Sequence, residues 1–148
     1  MHWTYKHFNE LSAYELYNIL SLRNRVFVVE QNCVYDDTDH KDQEAWHLCG
    51  FENEKLVAYA RILAPGVSYE EPSIGRVITA PEHRQKGYGI QLMKMAIEET
   101  LHQFNTKHIR ISAQEYLLRF YESLGFQSTG KSYLEDGIPH VEMVYHQD

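Results

Sequence analysis

The residues best suited to chemistry lie in one short run, Arg84-Gln85-Lys86-Gly87-Tyr88-Gly89, between a β-rich stretch and an amphipathic one. Two glycines one residue apart let the backbone turn tightly, so several N–H groups can converge on one space. A helix starting there adds its unpaired amides and the positive end of its dipole. Arg84 and Lys86 bring cationic charge to a chain whose formal net charge is −7. The combination suits a diphosphate held mostly by backbone. It is not a P-loop, because no Gly-Lys-Ser/Thr follows at the required spacing. Nor is it the dinucleotide fingerprint, because Leu92 stands where a third glycine would be. Taken alone, the run reads equally well as a glycine-rich turn capping an ordinary helix.

The flanking elements must position it. Ile74 to Thr79 reads as a strand stopped by Pro81. After the loop, Ile90, Met93, Ile97 and Leu101 recur at three- and four-residue steps, with Gln91, Lys94, Glu98 and Glu99 on the other face. A strand Ile109 to Ala113 follows. A short helix then carries Leu117, Phe120, Tyr121 and Leu124 on one face and closes at Gly125, where a C-cap glycine belongs. Upstream, His2 to Phe8 alternates like a short strand, and Ser12-Ala13-Tyr14-Glu15 fits a capping box. The helix it opens sets Leu16, Ile19, Leu20 and Phe27 along one side, with Arg23 among them. Tyr35 to Glu44 is polar and acidic, a loop. Ala45 to Phe51 and Lys55 to Ala64 read as a hairpin about Asn53-Glu54, and Phe126 to Tyr145 as two strands about Asp136-Gly137. This order predicts α/β architecture with a mixed, mostly antiparallel sheet of about six or seven strands flanked by helices.

Composition narrows the function classes. At 148 residues the chain suits a single domain, 1–148, that buries roughly 70% of its unfolded surface without disulfide or metal. A pI near 5.7 argues against general nucleic-acid binding and is compatible with a cationic substrate. No apolar run approaches the ~18 residues of a membrane span. The N-terminus lacks a signal-peptide layout, and Cys33 and Cys49 are isolated, so two reduced thiols in the cytoplasm are expected.

Arg84-x-x-Gly87-x-Gly89 resembles the acetyl-CoA motif of the GNAT superfamily of N-acetyltransferases, and it follows a strand and a proline turn as it does there. Phe120-Tyr121-Glu122-Ser123-Leu124-Gly125-Phe126 resembles that family's second motif. Arg25 to Gln31, Val57 to Leu63 and Glu135 to His140 are similar to its ElaA-type branch, so the likeness covers essentially the whole chain. The resemblance implies a GNAT fold that uses acetyl-CoA as cosubstrate, with no metal, and acetylates an amine-bearing acceptor, without naming it; the acidic composition is what is compatible with a cationic one. By the same resemblance, the backbone of Val77, Ile78 and Thr79 should pair with the pantetheine arm. Arg84 and the amides of Gln85, Lys86, Gly87, Tyr88, Gly89 and Ile90 should hold the pyrophosphate. An amide near Ile78 would polarise the thioester carbonyl, and Tyr121 would be the general acid for the departing thiolate. Gln114 replaces the asparagine often found seven residues before the tyrosine, which keeps the amide on a longer arm.

The general base has no motif. The strand Ile74 to Thr79 lacks the glutamate that many relatives carry there. Glu30, His47 and His140 are the candidates, each with an alternative reading as a surface or hydrogen-bonded structural residue. Arg23 is expected to tie the first helix to the acidic loop, while Arg25 is open between that task and the acceptor site. Asp36, Asp37, Asp39, Asp42 and Glu44, with His40 and His47 nearby, read as a solvated acidic loop without metal-ligand spacing. Direct attack in a ternary complex is the expected route, since neither motif holds a cysteine. A non-catalytic acyl-CoA-binding module and an acyl-homoserine-lactone-synthase-like acyltransferase are the alternatives, and a homodimer is left open.

Overall fold

The computed structural model describes residues 1–148. Along the chain run β1 (His2–His7), α1 (Ala13–Arg23), β2 (Trp46–Glu52), β3 (Lys55–Leu63), β4 (Ser73–Thr79), α2 (Tyr88–Gln103), β5 (His108–Gln114), α3 (Leu118–Ser123), β6 (Phe126–Glu135) and β7 (Ile138–His146). The seven strands form two antiparallel sheets, ordered β1-β2-β3-β4 and β5-β7-β6.

β3 is apolar at almost every position from Leu56 to Leu63, the pattern of a strand covered on both faces, and all of those residues are buried. Its alternation feeds two cores. Ala58, Ala60 and Ile62 face Leu92, Met93, Ala96 and Ile97 of α2, in a cluster that also takes Ile109, Ile111, Ala113 and Met143 from the second sheet. Val57 and Tyr59 face the opposite way, toward Ile19, Leu22, Val26 and Phe27. Thus α2 roofs both sheets on one side, while α1 and the turn after it cover the first sheet on the other.

The local signals worked as their chemistry requires. Ser12 Oγ accepts from the Glu15 amide at 3.0 Å and the Glu15 carboxylate accepts from the Ser12 amide at 2.9 Å. Gly125 adopts φ +104, and a Cβ there would lie 3.0 Å from the Tyr145 ring, so both backbone and space demand glycine.

Three features depart from expectation. First, α-helical geometry ends before Phe27: residues Asn24–Glu30 form a π-helical turn, a device common at functional sites, although Phe27 stays in the same buried cluster as Ile19. Second, Ile90 is 47% exposed rather than part of the α2 core face, because it lies in the first turn, before the helix meets the sheets. Third, the acidic loop is not solvated throughout. Asp37 and Asp42 are buried and bind Arg23, which is fully buried. Arg23 Nε lies 2.7 Å from Asp37 Oδ2 and its Nη1 lies 2.6 Å from Asp42 Oδ1, with Arg61 and Arg76 completing the network. A guanidinium carried inward by the helix must bring carboxylates with it, since an unpaired buried charge costs several kcal/mol. The expected tie from Arg23 to the loop is therefore present, and the loop folds inward around it.

Candidate functional site

The site begins where the two sheets part. β4 pairs with β3 on one side and β5 with β7, but no ladder joins β4 to β5. The Arg110 amide donates to the Pro72 carbonyl at 3.1 Å and holds the strands together near their starts. Beyond that point β4 is deformed: Tyr59 pairs with Ile78 but Arg61 pairs with Gly75, so Arg76 and Val77 bulge opposite Ala60. Arg76 takes φ +50, a left-handed value costly for a side-chain-bearing residue. The strain is offset by an anchor, as its guanidinium Nε lies 2.9 Å from Asp37 Oδ1 and its Nη2 donates to the Asp37 carbonyl. Bulges turn a strand's peptides away from its ladder; this one takes Arg76 and Val77 out of register, and Ile78 and Thr79 then pair again with Tyr59 and Ala58, leaving the edge toward β5 without a ladder.

At the end of that edge lies the glycine loop. Gln85 at φ +68 and Gly87 at φ +78 are both left-handed, and Gly87 caps α2 with no side-chain partner. Amides in such alternating conformations point into a common concavity. The amides of Gln85, Lys86, Gly87, Tyr88, Gly89 and Ile90 find no acceptor anywhere in the chain; the first inward bond is from the Gln91 amide to the Gly87 carbonyl, 3.2 Å. A 16-residue helix adds its dipole behind them. A cradle of this kind fits a diphosphate, and the free strand edge leading to it fits an extended amide-bearing arm. Gly89 lies close to Thr79 and Phe120: a Cβ there would be 3.6 Å from Thr79 Oγ1 and 3.8 Å from Phe120 Cζ.

Charges at the loop are already partnered. Arg84 makes a forked pair with Glu30, Nη1 to Oε2 at 2.8 Å and Nη2 to Oε1 at 2.7 Å, and its Nε donates to the Thr79 carbonyl. The fork holds the Glu30 carboxyl below its ordinary range and the Arg84 guanidinium above its own. Lys86 lies 3.7 Å from Glu52, and Arg25 pairs with Glu82. That gives Arg25, open from sequence, an ion-pair partner beside the loop.

Tyr121 projects from α3 into the core that joins the sheets. Its ring meets Phe120 and Phe126 edge-on, with centroids 5.2 and 5.8 Å apart. The residue is 6% exposed, and its hydroxyl has no hydrogen-bond partner in the chain. Burial raises the phenol above its ordinary value, chiefly by desolvation. Gln114 ends β5 and exchanges amide hydrogen bonds with Gln31, at 3.3 and 3.4 Å, so the π-helical turn reaches both sides of the parting.

The remaining base candidates lie apart. His47 is fully buried under the first sheet, with Nδ1 2.7 Å from the Tyr59 hydroxyl and Nε2 3.0 Å from the Asp42 carbonyl. A carbonyl only accepts, so Nε2 carries the proton and Nδ1 takes the Tyr59 hydrogen bond. No lone pair is left to act as a base, and burial lowers its proton affinity. Glu30 is engaged by Arg84. His140 lies on the second sheet, opposite Gln114. No group of three or more His, Cys, Asp or Glu side chains converges as a metal site. Sequence reasoning missed Arg61, Arg76 and Gln31, whose partners are distant in the chain, and Glu135, which meets His140 across the β6–β7 turn; the positive φ of Arg76 has no local signature at all.

The model of the acetyltransferase (GNAT) domain matches residues 17–146. Protein ElaA of Escherichia coli is 44% identical over 143 residues, covering 95% of this chain and 94% of its own. The crystal structure of that protein superposes with a TM-score of 0.91, at 42% identity over 98% of this chain and 99% of that one. The crystal structure of an acyl-CoA N-acyltransferase from Pseudomonas aeruginosa superposes equally well, TM-score 0.91, at 37% identity and the same coverage. A CoA-dependent acyl-homoserine lactone synthase, at 17% identity and TM-score 0.76 over 96% of this chain and 81% of that one, shares the fold alone. With likeness to ElaA running the full length and the family model spanning most of it, the chain belongs to the GNAT acetyltransferase family, in its ElaA-type branch, and is an acyltransferase.

Proposed function

We propose that residues 1–148 act as one domain that transfers an acetyl group from acetyl-CoA to a primary amine, by direct attack in a ternary complex. The observation that carries this reading is the unbroken run of free amides from Gln85 to Ile90 at the end of an unpaired strand edge. These groups would hold the pyrophosphate, with Arg84 and Lys86 adding charge, while Val77, Ile78 and Thr79 take the pantetheine arm as a substitute strand. The cosubstrate would supply an acyl thioester, already activated toward nitrogen. An amide near Ile78, beside the bulge, would hydrogen-bond the thioester oxygen as negative charge grows on it. The Tyr121 hydroxyl would protonate the departing sulfur, a service worth roughly 10²–10⁴ in rate. Gln114 would orient the arm beside it.

A cationic acceptor suits the net charge of −7, and two free cysteines, Cys33 and Cys49, suit a cytoplasmic enzyme. Calorimetry with acetyl-CoA, using ATP and NAD as controls, tests the reading. Micromolar, CoA-selective binding is expected, reduced at least tenfold by Gly89→Glu, which sets a carboxylate among the diphosphate amides. Absence of binding by the wild-type protein would overturn the reading.

A further inference from the structure

We infer that His140 is the proton acceptor for the attacking amine, and that the polar face of the second sheet is the acceptor side of the slot. This rests on the acetyl-transfer reading above and adds to it the residue that the motifs do not reveal. Alternation along β7 turns Val141 and Met143 into the core beneath α2. His140 and Glu142 therefore lie on the opposite face, away from the helices. Register places His140 between Gln114 on β5 and Tyr133 on β6. Gln114 is the last residue of the strand that borders the slot, so His140 is one strand removed from the place where bond exchange would occur.

Its chemistry is set by one hydrogen bond. Nδ1 lies 2.7 Å from the Ile138 carbonyl, which can only accept, so Nδ1 carries the proton. In the neutral ring the lone pair therefore lies at Nε2, facing the Glu135 carboxylate, and it can take a proton from an amine once that half-exposed side chain turns toward the arriving ammonium. Nε2 lies 3.3 Å from Glu135 Oε2; the His140 side chain is 8% exposed, whereas that of Glu135 is 51% exposed and opens the site to solvent. Tyr133 flanks the imidazole at 6.2 Å, nearly parallel. Of the charged groups on this face, Glu142 is held by Arg110 at 3.2 Å and by the Thr129 hydroxyl at 2.9 Å. Glu135 alone addresses the imidazole and can draw an ammonium toward it.

Elimination points the same way. An alkyl ammonium with a pKa near ~10.4 is almost wholly protonated at neutrality, so attack needs an acceptor for its proton. β4 offers no carboxylate or imidazole, Glu30 is forked onto Arg84, and His47 is fully buried on the far side of the first sheet with both nitrogens engaged, whereas the Nε2 partner of His140 is a half-exposed carboxylate. In the step so assigned, nitrogen bonds to the acyl carbon and the carbon–sulfur bond breaks. His140 Nε2 receives the proton that the ammonium sheds before attack; Tyr121 gives one to sulfur as the bond breaks, and the second proton, shed by nitrogen as the adduct collapses, passes to water. Exchange with water restores both groups.

Thiol release from acetyl-CoA is the readout, with spermidine as the probe amine and with water alone. His140→Gln should lower kcat/KM by about 10²-fold or more, leave the KM for acetyl-CoA and the melting temperature nearly unchanged, and abolish the acid limb of the pH–rate profile. His140→Ala should regain activity when imidazole is added to the buffer. Retention of the limb in His140→Gln, or no rescue of His140→Ala, overturns the assignment and leaves acyl transfer standing. A wild-type protein that releases no thiol under either condition overturns both.

Discussion

Replacing Tyr121 by phenylalanine removes a single oxygen, and the structure sets what that oxygen is worth in each state. In the resting protein the hydroxyl bonds to nothing in the chain, so its loss strands no buried partner. The edge-on contacts with Phe120 and Phe126 are made by the ring and survive. Stability should thus change by no more than about 0.5 kcal/mol, the range of substitutions that touch no special feature. In the transition state the same oxygen would supply the proton taken by sulfur, and removing a positioned acid costs roughly 10²–10⁴ in rate. At 1.36 kcal/mol per decade this is about 2.7–5.4 kcal/mol of barrier. Thiol release should therefore fall by at least about 10²-fold in kcat while calorimetric affinity for acetyl-CoA stays within about twofold. Burial raises the phenol above its ordinary value, so the acid form persists throughout the working range. The wild-type profile should accordingly show no basic limb from this group below about pH 10. Equal losses in kcat and affinity, or a melting temperature lowered by many degrees, would make Tyr121 a packing residue and refute the argument.

Two further outcomes follow from the buried network. Arg23→Met should destabilise the fold by about 3 kcal/mol, the low end for breaking a buried pair, because Asp37 and Asp42 keep Arg76 and Arg61 as partners. Thermal melts should show a fall of roughly 6–12 °C, and a loss under about 1 kcal/mol would mean that the loop is solvated after all. Stability measured by urea should also decline on acidification in two stages. His47 is held neutral below its ordinary range by burial, so stability is lost as pH falls below about 6.5, where the unfolded imidazole gains a proton that the folded one refuses. Asp39 and Asp42 are held low by Arg61 and Arg23, so their contribution persists down to about pH 4 and is lost as pH falls further. A denaturation midpoint that stays flat from pH 7 to 3 would contradict both assignments.

Much of the fold was legible because the signals are local. A capping box needs only Ser12 and Glu15, the α2 core face needs only a 3.6-residue repeat, and Gly125 marks its own left-handed turn. The glycine loop was legible for the same reason: backbone amides make the cradle, and Gly87 is where the chain can bend to expose them. Ile90 was misjudged as a core residue because periodicity shows the stripe of a helix but not where along it the sheet begins.

Charged and bent residues were less legible, because their meaning depends on partners distant in sequence. The acidic loop looked solvated, since carboxylates usually are; only the inward path of Arg23, Arg61 and Arg76 shows why Asp37 and Asp42 are buried. The π-helical turn that presents Glu30 to Arg84 and Gln31 to Gln114 has no composition of its own. By itself, the sequence determined most of the elements, the family and the left-handed glycine turn that opens α2, all of which follow from neighbours within a few residues. Tertiary structure alone decided that β4 and β5 part company, that Arg76 bulges at their opening, and that Glu30 and His47 are engaged by partners distant in the chain. Those outcomes depend on register and burial, and both are set by contacts between residues that the chain order keeps far apart.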